Sequence, residues 1–245
     1  MKRTVAIIEA RMTSSRLPGK VLLPVRGRPM LTYLVERLRR VPSIQKIVLA
    51  TTVNRIDDTL EDFARQIGIS CFRGSEVDVM QRVIDAADSV QTDIIVEITG
   101  DCPIIDPRIV EQTIRIFFHN DCDYATNAHV RSYPDGMDVQ VYALETLKRS
   151  AALTRDPLDR EHVTSYIRQH PELFRQVNLV APPDLHWPEL GLTLDEVQDY
   201  ELLKTLIEYF GEDHPDFGCR EVIGLLRARP EWVAINQMVR RKGIS

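Results

Sequence analysis

The stretch MKRTVAIIEARMTSSRLPGK, from Met1 to Lys20, is the most informative part of this 245-residue chain. Its apolar run Val5–Ile8 predicts a buried strand. A loop follows at once, in which Arg11, Arg16 and Lys20 lie among serines, a proline and a glycine. Small residues let a backbone approach a ligand closely, and fixed cations neutralise phosphate oxygens. The stretch therefore predicts an α/β protein that binds a small polyanion, such as a triphosphate, after its first strand.

The other features of this loop leave two interpretations open. Neither GxxxxGK[ST] nor GxGxxG is present, so the two common glycine-rich phosphate motifs do not apply. An exposed basic loop that turns at residues 17–19 would have the same composition. The net charge of −5 argues against nonspecific binding of nucleic acid or anionic membranes, since both favour basic surfaces. Any anion site is therefore expected to be local.

The composition predicts a globular protein of the cytoplasm. Hydrophobic residues make up 44% of the chain and charged residues 27%, which are ordinary values. The longest apolar runs are too short to span a bilayer, and no signal-peptide pattern follows Met1. The four cysteines are widely spaced and form no CxxC pair. This spacing argues against a zinc site or disulfide framework and favours a reducing compartment.

Strand-like and helix-like segments alternate through the first half. Apolar runs predict strands over 5–8, 46–50, 69–72 and 93–99. Helical spacing predicts helices over 30–40, 57–66, 78–87 and, after a capping Asp106, about 107–118. This alternation predicts the α/β class, with a mainly parallel, twisted sheet flanked by helices. The loop after the first strand and the turn Gly100–Asp101 then share the rim where such sheets bind ligands.

The second half is less regular. Strands are predicted over 137–143 and 176–181, helices over 159–169 and 196–209, and a proline-rich loop over 182–190. One or two more helices are predicted over 219–238. Because no repeat, low-complexity tract or linker divides the chain, we expect one domain over 1–245, with 211–245 as a helical C-terminal appendage.

Two aspartates are candidate metal ligands. Asp101 follows a buried strand at a glycine turn, so its carboxylate can reach an ion above the sheet edge. Mg²⁺ takes one or two carboxylates together with phosphate oxygens and waters. Capping of the turn is the alternative role for Asp101. Asp195 precedes a predicted helix, and helix capping is the simpler role for its side chain when the residues alone are considered.

Five segments in order resemble the cytidylyltransferases that activate acidic sugars, the family of CMP-Kdo and CMP-acylneuraminate synthetases, and within it the SpsF branch. They are IIEARMTSSRLPGKVL (7–22), LATTVNRIDD (49–58), FRGSEVDVMQR (72–82), VEITGDCPIIDP (96–107) and LTLDEVQDYELL (192–203). The resemblance spans nearly the whole chain and is weakest after Phe210. It implies the Rossmann-like fold of the nucleotide-diphosphosugar transferases.

The resemblance also implies roles on the nucleotide side. CTP would be the nucleotide, and Asp101 and Asp195 would hold Mg²⁺. Arg11, Arg16 and Lys20 would hold the triphosphate and the leaving pyrophosphate, so these three and Asp101 are the candidate catalytic residues. The candidate nucleotide-binding residues are Ala10, Arg11, Ser14, Ser15, Thr51, Gly74, Ser75 and Thr99. Taken alone, the segments 49–52 and 74–78 are equally typical of ordinary turns.

Two further segments would form the acceptor side. Asp135 and Asp138 lie in a turn before a predicted strand, and Glu161 and His162 lie near the start of a predicted helix. Solvated turn and first-turn residues are the alternative for both segments. By resemblance to the family, these four residues face the acceptor. The family's usual acceptor is an ulosonic acid, although related enzymes activate other acidic molecules, including phosphonates.

We therefore predict an Mg²⁺-dependent cytidylyltransferase that transfers CMP from CTP to a small acidic acceptor and releases pyrophosphate, for surface polysaccharide synthesis. We expect no nucleic-acid or membrane partner, and the resemblance is compatible with a homodimer. A glycosyltransferase that uses nucleotide-diphosphosugars is one alternative, although Gly100–Cys102 lacks the first acid of a DxD metal site. A non-catalytic nucleotide-binding protein is the other, although both Asp101 and Asp195 are present.

Overall fold

Seven strands form the sheet that brings the predicted loops together. The computed structural model describes residues 2–211 and 214–240. Its strands are β1 (Thr4–Glu9), β2 (Pro24–Val25), β3 (Arg28–Pro29), β4 (Lys46–Thr52), β5 (Ser70–Gly74), β6 (Ile94–Thr99), β7 (Tyr124–Thr126), β8 (Gln140–Ala143) and β9 (Gln176–Asn178). The sheet has the order β5-β4-β1-β6-β8-β7-β9, and β2 and β3 form a separate hairpin.

The helices connect these strands and cover the sheet. They are α1 (Met30–Leu38), α2 (Asp58–Ile67), α3 (Val79–Ser89), α4 (Pro107–His119), α5 (Leu144–Leu153), α6 (Pro157–Glu161), α7 (Ser165–Gln169), α8 (Val197–Phe210), α9 (Cys219–Ala228) and α10 (Pro230–Val233). Asp106 caps α4 as predicted, since its side chain accepts a hydrogen bond from Arg108 N at 2.8 Å. Among the described residues, no helix is long and apolar enough to cross a membrane.

Strand β1 lies inside the sheet and pairs in parallel with both β4 and β6. Glu9 is in register with Ala50 and with Thr99, so the three strands end at one rim. β5 extends this parallel set beyond β4, whereas β8 runs antiparallel to β6 and β7. The loop 10–20 and the turn Gly100–Asp101 therefore leave the sheet side by side, as predicted.

Both faces of the sheet are covered, which is why its inner strands are continuous apolar runs. One face buries residues such as Ile8 and Leu49 against α1, α2, α4, α8 and α9. The other buries residues such as Ile7 and Val48 against α3, α5 and α7. This arrangement is the predicted single-domain α/β architecture. Within the predicted appendage, Cys219 and other α9 residues pack into the first of these two clusters.

The single helix predicted over 159–169 is wrong. Helices α6 and α7 are separated at 162–164, where Val163 has φ of 42°. A β-branched residue rarely adopts this left-handed conformation, and it interrupts the helical path. The Thr164 hydroxyl donates a hydrogen bond to Gln140 of β8, so a tertiary contact stabilises the break. Helix α7 therefore begins beside the first residue of β8.

The predicted strand over 137–143 begins later, at Gln140. The Asn127 side chain replaces a neighbouring strand at 137–139, because it donates to Met137 O at 2.7 Å and accepts from Val139 N at 2.8 Å. The strand predicted over 176–181 is likewise shorter, Gln176–Asn178. The sequence pattern did not indicate the hairpin β2–β3, the short strand β7 or helix α5.

Candidate active site

The loop between β1 and the turn at Lys20–Leu22 is held by its own backbone and by β4. Gly19 has φ of 70°, and its N–H donates to Met12 O at 2.9 Å, which closes the loop. Met12 N donates to Asp57 Oδ1 at 2.7 Å, and Asp57 also accepts from the Thr52 hydroxyl at the end of β4. The loop is therefore attached to the rim rather than free in solvent.

Lys20 joins the two predicted metal ligands. Its side chain is buried, and Nζ lies 2.8 Å from Asp101 Oδ2 and 2.8 Å from Asp195 Oδ1. Although burial alone would lower the pKa of Lys20, the two carboxylates raise it above the usual value. Asp101 and Asp195 lie far apart along the chain, so the fold makes them converge on one cation.

The two arginines of the loop also contact carboxylates. Arg16 Nη2 lies 2.9 Å from Asp195 Oδ1, and Arg11 Nη1 lies 3.7 Å from Glu76 Oε1. Burial alone would raise the pKa of Asp195, but Lys20 and Arg16 lower it below the usual range. All three predicted phosphate-binding cations therefore lie at the rim, and each is paired with an acid of the same site.

Backbone contacts fix Asp101. The Gly100 N–H donates to Glu9 O at 2.8 Å, and a Cβ at Gly100 would lie 2.9 Å from the Ala10 side chain, so only glycine fits this close approach. Leu194 N donates to Asp101 O at 2.8 Å, which brings the segment that carries Asp195 beside the turn.

A hydrogen-bonded cap fixes Asp195. Asp199 Oδ2 accepts from Asp195 N at 3.1 Å and from Glu196 N at 2.9 Å, and Asn236 Nδ2 donates to Asp199 Oδ1 at 2.8 Å. The N-cap residue of α8 is Glu196, so the capping role considered for Asp195 is wrong. Its carboxylate is left for the cation.

These two carboxylates fit a magnesium ion. They are hard oxygen donors that meet at one cation, which in this structure is Lys20. No group of three or more metal-ligating side chains occurs in residues 2–211 and 214–240. Such a pair suits Mg²⁺, which completes its shell with phosphate oxygens and waters.

The candidate nucleotide-binding residues are distributed around the end of β4 and β5. Gly74 ends β5, in register with Thr52, and a Cβ there would lie 3.0 Å from Arg82 Cγ. The Ser75 carbonyl accepts a hydrogen bond from Arg82, which is 3% exposed. Thr51 is fully buried, and its hydroxyl has no partner among the described residues.

The remaining candidates of this group lie on the loop and on β6. Ala10 is buried, whereas Ser14 is half-buried and Ser15 is exposed. Thr99 is exposed at the end of β6. Only some of the predicted nucleotide contacts are therefore open to a ligand without movement.

The four candidate acceptor residues line one cleft together with Asp101 and Asp195, which are called the metal pair below. Its volume is about 390 Å³, and Asp135, Asp138, Glu161 and His162 share its lining with Asp101 and Asp195. The turn 133–138 is joined to the 190–192 segment, since Leu192 N donates to Asp135 O at 2.7 Å. Gly136 has φ of 100°, and a Cβ there would lie 2.6 Å from the Leu192 backbone, so the turn requires glycine.

Charge accumulates in this cleft. Burial and the neighbouring Asp135 raise the pKa of Asp138 to about 7. Beneath it, burial and Glu97 raise the pKa of Glu9 well above its usual range, and burial also raises the pKa of Glu97. Glu97 accepts from Gln140 Nε2 at 3.0 Å and from the Tyr142 hydroxyl. Burial therefore disfavours the doubly charged form of this carboxyl pair.

Several residues of the site were not identified from sequence. Glu9 and Glu97 lie in strands and are the acids that interrupt runs of apolar residues, which was the available signal. Asp57 and Glu76 hold the first loop through contacts distant in sequence. Asp199 holds the backbone of Asp195 and is itself contacted by the distant Asn236. Arg131 and Arg168 also line the cleft, and no local pattern marked them.

This fold and site place the chain among known enzymes. The cytidylyltransferase family model matches residues 5–213, which is most of the chain, so the chain belongs to the cytidylyltransferase family and is a nucleotidyltransferase.

Three similar proteins illustrate the match. The spore coat polysaccharide biosynthesis protein SpsF of Bacillus subtilis is 37% identical over 235 residues, covering 94% of this chain and 97% of that protein. An 8-amino-3,8-dideoxy-manno-octulosonate cytidylyltransferase of Shewanella piezotolerans is 36% identical over 112 residues, 45% of this chain and 46% of that protein. A cytidylyltransferase structure from Leptospira borgpetersenii has a TM-score of 0.92 at 34% identity, covering 98% of this chain and 100% of that one.

Proposed function

We propose that this enzyme transfers CMP from CTP to a hydroxyl of a small acidic acceptor, of the ulosonic-acid class, and releases pyrophosphate. The observation that carries the proposal is the convergence of Asp101 and Asp195 on Lys20, which follows Arg11 and Arg16 in the loop after β1. The names of the relatives support CMP transfer to an octulosonate and a role in surface polysaccharide synthesis.

The proposed step is a single displacement. The acceptor oxygen forms a bond to the α-phosphorus, the bond from that phosphorus to the bridging oxygen breaks, and pyrophosphate leaves with the electron pair. The hydroxyl proton passes to a carboxylate of the cleft or to water. No covalent enzyme intermediate is required, because positioning and charge neutralisation lower most of the barrier.

The residues of the rim divide this work. Arg11 and Arg16 bind the β- and γ-phosphates and stabilise the charge on the leaving pyrophosphate. Asp101 and Asp195 would hold Mg²⁺, which screens the phosphate charge and lowers the pKa of a bound hydroxyl. Because Lys20 lies between these carboxylates, we expect it to move to a phosphate oxygen when the metal and nucleotide bind.

The nucleotide and acceptor contacts complete the site. Ala10, Ser14, Ser15, Thr51, Gly74, Ser75 and Thr99 are proposed to surround the nucleotide. Asp135, Asp138, Glu161 and His162 are proposed to contact hydroxyl groups of the acceptor, since they line the same cleft as the metal pair.

Pyrophosphate release tests the proposal. The purified enzyme is incubated with Mg²⁺, each of the four nucleoside triphosphates, and Kdo, 8-amino-Kdo, N-acetylneuraminate or 2-aminoethylphosphonate. We expect pyrophosphate release when CTP is the nucleotide and a carboxylic acid is the acceptor, and with none of the other three nucleotides. Release with another nucleotide, or stabilisation by a UDP-sugar instead of CTP and Mg²⁺, would contradict it.

A further inference from the structure

The acceptor cleft is lined by more carboxyl groups than cations. Seven carboxylates line it: Glu9, Glu97, Asp101, Asp135, Asp138, Glu161 and Asp195. Two arginines, Arg131 and Arg168, line it with them. An acidic acceptor that enters this cleft must meet a cation, because its own carboxylate is otherwise repelled from every side.

Arg168 is a cation of this cleft that forms no ion pair with any described residue. Its Nε is buried and has no hydrogen-bond partner, and its guanidinium forms no ion pair, within residues 2–211 and 214–240. By contrast, Arg16 contacts Asp195 and Arg160 contacts Asp78, at 2.9 and 2.6 Å. Native structures rarely leave a buried donor unsatisfied, so this N–H points to a missing anionic partner.

Burial raises the pKa of Glu97 and of Asp138, and the charge of Arg168 partly opposes both shifts, but neither acid forms an ion pair with Arg168 among the described residues. The two oxygens of Glu97 accept hydrogen bonds from Gln140 and Tyr142. Burial raises the pKa of its partner Glu9, which disfavours the charged form of that carboxyl. Arg131 differs from Arg168, because it lies on an exposed loop, 4.0 Å from Asp135. The break at Val163 lets α7 place Arg168 at the lining of the cleft.

We propose that Arg168 binds the carboxylate of the acceptor and so selects carboxylic acids as substrates. This inference rests on the proposed function and adds the residue that recognises the acid. A planar guanidinium donates two parallel hydrogen bonds to a planar carboxylate, a geometry that a lysine cannot reproduce. A phosphonate offers similar oxygens, so the test includes one.

The first test is kinetic and uses Arg168→Gln, Arg168→Lys and, as a control, Arg65→Gln, which removes an exposed guanidinium paired with Asp62. Losing a charged hydrogen-bonded pair should raise KM for the acceptor roughly 10- to 100-fold. We expect KM for CTP to change less than about threefold and Arg65→Gln to match the wild type. An unchanged acceptor KM in Arg168→Gln would overturn the assignment.

The second test is independent of turnover. In ¹⁵N-labelled protein, the Arg168 Nε–H resonance is assigned by its loss in Arg168→Lys, and the protein is titrated with Kdo, Kdo methyl ester and 2-aminoethylphosphonate. Kdo should shift the resonance and its ester should not. A shift with phosphonate alone, equal shifts with acid and ester, or no shift at all would each overturn the inference.

The two tests separate the inference from the proposed function. If the wild type releases pyrophosphate from CTP but Arg168→Gln keeps the wild-type acceptor KM, the function stands and the inference fails. If no acceptor supports release, the function fails, and the resonance titration still decides whether Arg168 binds a carboxylate. Because Arg168→Gln could unfold α7, its CTP affinity and melting temperature are measured alongside, and Arg168→Lys provides a second variant.

Discussion

The two halves of the active site treat charge in opposite ways. On the nucleotide side, Arg11, Arg16 and Lys20 are each paired with a carboxylate of the site. On the acceptor side, carboxylates outnumber cations, and Arg168 has no ion-pair partner within the described residues. On the nucleotide side the cations are therefore already held by ion pairs before a ligand binds. On the acceptor side the Nε–H of Arg168 is left for a ligand to accept a hydrogen bond from.

This difference suggests how each ligand enters the site. A metal–nucleotide complex can exchange with Lys20, since it brings both a cation and phosphates. The acceptor instead enters a cleft whose acidic groups outnumber its two arginines, Arg131 and Arg168. Because Lys20 and Arg16 already pair with Asp101 and Asp195, we expect the acceptor carboxylate to depend on Arg168 for its countercharge.

The largest expected effect is on the metal pair. Replacing Asp101 with Asn should lower kcat by at least about 100-fold, because one of two carboxylate ligands becomes neutral. Steady-state pyrophosphate release measures the change. Asp88→Asn removes an exposed carboxylate paired with Lys148 and serves as the control. Turnover of Asp101→Asn near the wild-type rate would remove Asp101 from the site.

At Lys20 we expect a smaller loss of activity together with a gain in metal affinity. In Lys20→Gln, kcat/KM should fall about 10-fold or more because a phosphate contact is lost. Mn²⁺ affinity without nucleotide, measured by electron paramagnetic resonance, should instead rise roughly 3- to 10-fold, since Asp101 and Asp195 lose their competing cation. Lys148→Gln is the matched control. Weaker Mn²⁺ binding would show that Lys20 supports the metal site rather than competing with the metal.

The smallest expected effect is at Asp138 in the acceptor half, and it concerns how the free energy of unfolding depends on pH. The folded-state pKa of Asp138 is about 7, above the unfolded value of about 3.8. Between these values the native state keeps a proton that the unfolded state has lost, so this residue lowers the free energy of unfolding as pH rises.

Asp138→Asn removes that penalty. At pH 8 we expect the variant to be about 1 to 3 kcal/mol more stable than the wild type, roughly 2 to 8 °C in melting temperature. At pH 3.5 the stability difference from this titration should vanish. Thermal unfolding across pH measures it, with the exposed Glu208→Gln as control. A stability difference that stays constant from pH 3.5 to 8 would contradict the raised pKa.

The parts of the fold that the sequence predicted are those determined by local pattern. Apolar runs identified β1, β4 and β6, and helical spacing identified α1 to α4. The division of 159–169 was missed, because it depends on the Thr164–Gln140 contact between elements. The short strand β7 was missed for the same reason, since it is defined by its pairing with β8 and β9.

The candidate site divides in the same way. The position of Arg11, Arg16, Lys20 and Asp101 at the rim was predictable, because they follow strands whose ends meet there, whereas their roles stay predictions. Their pairing with each other was not predictable, since Lys20 and Asp195 are joined only by the complete fold. Arg168 gave no signal, because an arginine in an amphipathic segment usually faces water.

Transfer of CMP to an acidic acceptor is tested by ³¹P NMR of CTP, Mg²⁺ and the acceptor panel with the enzyme. We expect the three CTP signals to be replaced by one phosphodiester signal and pyrophosphate, in equal amounts. Intact CTP with every acceptor while a UDP-sugar is consumed, or free CMP without a conjugate, would contradict this transfer.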